Sequence, residues 1–128
     1  ESGVEVLEHI YKLISMPKFI ILQNLYPQLK KVGVLVRDAP KLKELYKIRD
    51  IAVKNGADGA IILKFDNKLY APESDYEQDY KEIEKYFDFK KDDALVIAFS
   101  NENKNAENGA LAIAIELNQF LKNFMSGF

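Results

Sequence analysis

Three short apolar runs constrain this chain more than any other feature. They are Val32-Gly33-Val34-Leu35-Val36, Ala60-Ile61-Ile62-Leu63-Lys64-Phe65 and Ala94-Leu95-Val96-Ile97-Ala98-Phe99. The first, flanked by Lys30-Lys31 and Arg37-Asp38, is a short run rich in β-branched valine and reads as a strand buried on both faces. The other two read as strands of the same kind. Asp66-Asn67 after the second favours a turn, and Leu69-Tyr70 returns as a short hairpin arm.

Helical spacing fills the intervals. Val6, Leu7, Ile10, Tyr11, Leu13 and Ile14 make one stripe over Val4 to Ser15. Pro17 opens a second helix over Lys18–Tyr26, and Pro27 ends it. Pro40 starts a helix to about Asn55 with Leu42, Leu45, Ile48 and Ala52 along one side, and Gly56 suits its C′ position. Ser74 and Glu77 form a capping box for a helix with Tyr76, Tyr80, Ile83 and Phe87 on one face. From Ala106 to Met125 the spacing is helical, although Ala110–Ile115 also alternates as a strand does.

The resulting order, α-α-β-α-β-α-β-α, implies βαβ units. The expected fold class is α/β: a three-layer sandwich with a small, mainly parallel sheet flanked by helices, Rossmann-like. Residues 1–128 form a single domain, with N-terminal helices over 1–27 and a βαβαβα core over 28–128. No internal repeat or Gly/Ser linker divides it.

Composition removes whole classes of function. Lys and Arg number 18 against 20 Asp and Glu, a net charge of −2, so no broad basic surface for nucleic acid exists. Without cysteine there is no disulfide, thiolate chemistry or Cys-ligated zinc. His9 is the only histidine, so serine nucleophiles lack a base and no site can use two imidazoles. Neither GxxxxGK[ST] nor GxGxxG occurs, and the acidic pair of a phosphoacceptor receiver is missing. The acidic pairs (Asp75/Asp79, Glu82/Glu84, Asp92/Asp93) read as solvated or helix-capping charges. The expectation is therefore a non-enzyme with no catalytic residues, no metal and no cofactor. No stretch reaches the ~18 apolar residues of a membrane span. A start at Glu1 suggests a processed piece, which leaves membrane contact only through a removed anchor or signal.

In a parallel sheet, ligands sit at the carboxyl ends of the strands. Those ends are Arg37-Asp38, Asp66-Asn67 and Ser100-Asn101. Candidate ligand-binding residues are therefore Arg37, Asp38, Asp66, Ser100 and Asn101, with Arg37 able to hold a carboxylate in a bidentate way. Tyr70, in a turn-rich stretch before Pro72, joins them as a ligand or partner contact.

One passage resembles a known family. Leu25-Tyr26-Pro27-Gln28-Leu29-Lys30-Lys31 followed by Val32-Gly33-Val34-Leu35 is similar to the inter-lobe passage of periplasmic substrate-binding proteins of ABC transporters. Asp93-Ala94-Leu95 and Asn108-Gly109-Ala110-Leu111-Ala112 resemble later segments of that family. Arg37-Asp38-Ala39-Pro40 departs from it, standing where the family has an Asn/Ser-bearing loop. The resemblance implies one lobe of a solute-binding protein, extracytoplasmic or periplasmic, that binds or senses a small molecule. The lack of cysteine suits the cytoplasm equally. The alternative expectation is a protein-interaction or assembly module of a larger envelope complex, with a protein partner or a homodimer. Its surface would use exposed aromatics such as Tyr70, Phe124 and Phe128.

Overall fold

The computed structural model describes residues 17–21, 28–37, 45–72 and 80–117. Its elements in chain order are β1 (Lys18–Ile20), β2 (Lys30–Val36), α1 (Leu45–Lys54), β3 (Gly59–Asp66), β4 (Lys68–Tyr70), α2 (Lys81–Glu84), β5 (Ala94–Ser100) and α3 (Asn103–Leu117). The five strands form one sheet in the order β1-β2-β5-β3-β4.

Every neighbouring pair in that sheet is antiparallel. This corrects the expected mainly parallel, Rossmann-like sandwich. β2 and β3 do run in the same direction, joined through α1 as a βαβ unit would be. Their shared neighbour, however, is β5, which runs against both. The reason lies in the segment before β5. Over its described part, 80–93, the only helix is α2, a single turn. The chain then returns to the end where β3 finishes, and the ladder continues there. Phe65 N–H donates to the Asp93 carbonyl at 2.9 Å, and Asp92 N–H to the Phe65 carbonyl at 3.1 Å.

Strand alternation divides the apolar side chains between two faces. Val32, Val34, Val36, Ile62, Val96 and Ala98 pack under α1 and α3. Leu35, Leu63, Leu95 and Ile97 face the other way, beneath Ile83, Phe87 and Phe89 of the 80–93 segment. Phe89 stacks on Phe65 at 5.1 Å between ring centroids and meets Phe87 edge-on. Burying each such Val, Leu or Ile stabilises the fold by roughly 1.5–3 kcal/mol before entropy is counted.

Two close approaches depend on missing side chains. At Gly109 of α3 a Cβ would sit 2.7 Å from Ala57 Cβ and 3.3 Å from the Ala52 carbonyl, so glycine sets the spacing of α1 and α3. At Gly33 of β2 a Cβ would collide with Ile20 Cδ1, so glycine seats β1 on the sheet.

Other expectations meet mixed outcomes. The helix proposed from Lys18 does not form over Lys18–Ile20, which is a strand paired with Ile20↔Lys31 and Lys18↔Gly33. Over Asn103–Leu117 the ambiguous last segment is helix, with Ala106, Ala110, Ile113, Ala114 and Leu117 buried. Gly56 closes α1 with φ of 104°, as a C′ residue does. The expected helix over Val4–Ser15, the capping box at Ser74 and Glu77, Phe124 and Phe128 lie outside the described residues.

Candidate functional site

The antiparallel sheet separates the residues that a parallel one would have gathered. Arg37 and Asp66 lie at the end of the sheet where β2 and β3 finish. Ser100 and Asn101 follow β5 and lie at the opposite end, because Ser100 pairs with Lys30. Seven residue steps separate Arg37 from Lys30, the partner of Ser100, about 23 Å at ~3.3 Å per residue. Asp38 lies outside the described residues. Tyr70 is on the β4 edge opposite Lys64, partly exposed.

Arg37 is engaged within the fold. Its Nη1 donates to Asp93 Oδ2 at 2.6 Å and to the Asp88 carbonyl at 2.8 Å. Asp93 is almost fully buried and also accepts from Lys90 N–H at 2.8 Å. The guanidinium that was to bind a ligand carboxylate already holds the protein's own. This geometry was hidden by the parallel assumption. In the β2–β5 register Val36 faces Ala94, so Arg37 and Asp93 are the next pair along.

Ser100 is equally committed. It is buried, and its Oγ accepts from Glu102 N–H at 3.3 Å, just before α3 begins. That bond belongs to the start of α3. Asp66 and Asn101 are exposed. Among the described residues no group of three or more His, Asp or Glu side chains stands close enough to hold a metal. Nor is any helix among them long and apolar enough to cross a membrane.

Lys31 was not singled out by sequence reasoning. It is buried in β2 among apolar neighbours, and its Nζ donates to the Leu29 carbonyl at 2.8 Å. Burial lowers its pKa below the ordinary lysine value. Burial likewise raises that of the Tyr80 hydroxyl. Nothing in the sequence marks Lys31 beyond its place beside a strand.

The largest apolar exposure on the sheet is at β1. Phe19 is 60% exposed and Ile21 80% exposed. Lys18 and Tyr86 fasten this strand from the other face: Lys18 Nζ donates to the Tyr86 carbonyl, and Tyr86 Oη accepts from Ile21 N–H at 3.1 Å. On α1, Tyr46 and Val53 are exposed as well.

The sequence matches the family model "Domain of unknown function (DUF4443)" over residues 28–117. The chain belongs to the DUF4443 family. That assignment takes in Gln28–Leu35 of the passage likened to substrate-binding proteins and, with the antiparallel sheet, replaces that likeness. A solved structure, hypothetical protein PH0730 from Pyrococcus horikoshii OT3, superposes with a TM-score of 0.74 at 27% identity over 90% of this chain. This DUF4443 chain spans 62% of that protein's length. No curated protein matches the sequence.

Proposed function

We propose that this DUF4443 domain is a non-enzymatic protein-interaction module. The observation that carries the reading is the apolar pair Phe19 and Ile21, left exposed where the sheet stops at β1. Both sheet faces are otherwise covered from within the chain. Exposed apolar side chains grouped at one edge favour contact with another protein.

The small-molecule reading has less support. It needs Arg37 to be available, and Arg37 is held by Asp93 and the Asp88 carbonyl. It also needs Ser100 and Asn101 beside Asp66, and they lie at the other end of the sheet. The extracytoplasmic setting drew only on the binding-protein resemblance and forms no part of this proposal.

Native mass spectrometry of the chain separates the two. A protein assembly without a bound small molecule supports the module. A retained small-molecule mass, lost on Arg37→Ala, overturns it in favour of a ligand-binding domain.

A further inference from the structure

We propose that Asn55 and Gly56, at the carboxyl end of α1, form a site of spontaneous covalent modification. The Gly56 main-chain nitrogen closes on the Asn55 side-chain amide, and water opens the ring to aspartate or isoaspartate. The proposal is independent of the interaction-module reading.

The sequence holds Asn-Gly twice, at Asn55-Gly56 and Asn108-Gly109. Ring closure brings the following residue's nitrogen onto the asparagine side chain, and glycine sets no side chain against that movement. At the first pair, the Gly56 N–H gives its proton to a solvent base as its nitrogen bonds to Asn55 Cγ. The bond from Cγ to Nδ2 breaks, ammonia leaves, and a cyclic imide remains. Water then adds to one imide carbonyl and breaks that carbon's bond to the Gly56 nitrogen, which takes up a proton. Opening at the main-chain carbonyl carbon yields isoaspartate, and opening at Cγ yields aspartate. No redox partner is needed, and water is the one co-reactant.

The fold guards the two pairs unequally. Asn108 and Gly109 lie inside α3, with Gly109 buried against Ala52 and Ala57. Reaction there requires α3 to break and to part from α1. Asn55 and Gly56 are both exposed, just past the last turn of α1. Gly56, at φ of 104°, sits in a Schellman arrangement. Its N–H donates to the Val53 carbonyl at 3.1 Å, and Ala57 N–H donates to the Ala52 carbonyl at 3.0 Å. Asn55 Nδ2 donates to the Ile51 carbonyl at 2.7 Å, which turns the side chain back along the helix. The reacting groups are thus held apart by hydrogen bonds at a helix end, and fraying ends open far more often than helix interiors.

The product cannot restore what it replaces. A carboxylate at position 55 has no N–H for the Ile51 carbonyl, and it sets a negative charge at the carboxyl end of the α1 dipole. Isoaspartate also lengthens the main chain just before Gly56, where a Cβ would already stand 3.2 Å from Asn105 Oδ1 of α3. Ala57, the next residue, is the one that Gly109 accommodates. The seam between α1 and α3 therefore loosens as the modification accumulates.

Peptide mapping by mass spectrometry tests this on the whole chain, incubated at mildly alkaline pH either folded or unfolded in guanidinium chloride. Conversion is read as the mass gain of an amide becoming an acid, and as the chromatographic split between aspartate and isoaspartate peptides. Each folded rate is compared with the unfolded rate of the same pair. The expected result is that folding protects Asn108 more than about tenfold better than Asn55. Amides of α1 in the converted protein should also exchange faster than in an Asn55→Gln variant carried through the same incubation. Conversion at neither pair in the folded chain overturns the proposal, because the end of α1 then keeps the site shut. Equal protection of both pairs overturns it too, because conversion then follows global unfolding.

Discussion

Arg37 and Asp93 face each other one step beyond the last paired residues of β2 and β5, with Nη1 and Oδ2 2.6 Å apart. One residue ends a strand and the other precedes one. Their pairing locks the end of the sheet where the central strand begins, and it engages Nη1 of a guanidinium that stays partly exposed.

Removing the cation should therefore cost stability. Arg37→Ala takes the guanidinium away from the buried Asp93 carboxylate. A loss of about 3 kcal/mol is expected, read as a lower urea midpoint. The double variant Arg37→Met/Asp93→Leu should recover part of it, because the buried carboxylate is removed as well. An unchanged midpoint in Arg37→Ala would show that the pair is not held in solution.

Gly109→Ala sets two effects against each other. Alanine improves helix propensity by about 1 kcal/mol. Its Cβ would also stand 2.7 Å from Ala57 Cβ and 3.3 Å from Ala52 Cβ, forcing α1 and α3 apart. Overpacking of this kind costs about 1–3 kcal/mol, so crowding wins and Tm falls. A higher Tm would mean that the helices can separate at little cost.

Lys31 gives a pH signature. Burial lowers its folded pKa, while the unfolded value stays near 10.5. Between those two values the unfolded chain binds the extra proton, so stability from this residue rises with pH through that window. Below it, both states are protonated and the cost of burying the charge is constant. Lys31→Met lacks the rise. The stability gap in favour of Lys31→Met should be widest near neutrality and close as pH approaches 10.5, measured by urea unfolding at each pH. A gap independent of pH would contradict the buried placement.

Asp92 sits in the turn before β5 with φ of 71°, in the left-handed region. Asp92→Gly should be neutral or stabilising by about 0.5 kcal/mol, and Asp92→Val should cost more than about 1 kcal/mol. Equal thermal midpoints for both would argue against that backbone conformation.

Much of the local structure was legible in the sequence. The three apolar runs are β2, β3 and β5, Leu69-Tyr70 is the hairpin arm, and the stripe through Ile48 and Ala52 is α1. Strand direction was not legible. Tyr80, Ile83 and Phe87 have the spacing of a crossover helix, yet among the described residues of that segment only Lys81–Glu84 is helical, and Ile83 and Phe87 roof the lower face instead. Apolar periodicity reports which side chains are buried, and a single helical turn with its flanks buries them as well as a full helix does. From that one segment the error spread to the site. With β5 reversed, Ser100 and Asn101 moved to the far end of the sheet, and Arg37 met Asp93. Lys18 and Phe19 were misread for a related reason: Pro17 suits a helix start and an edge strand alike.

The central strand of this sheet is the last to be synthesised. β2 and β3 precede β5 in the chain, yet each depends on β5 for its inner neighbour. While the nascent chain is still shorter than residue 94, β2 has only β1 beside it and β3 only β4, and their apolar inner edges have nothing to pair with. Nor can α3, which covers the same strands, arrive before them. Translation therefore delivers two incomplete halves and closes them with a single late insertion. The sheet is committed only when β5 has been made, and chains released before it present two open strand edges to whatever lies nearby.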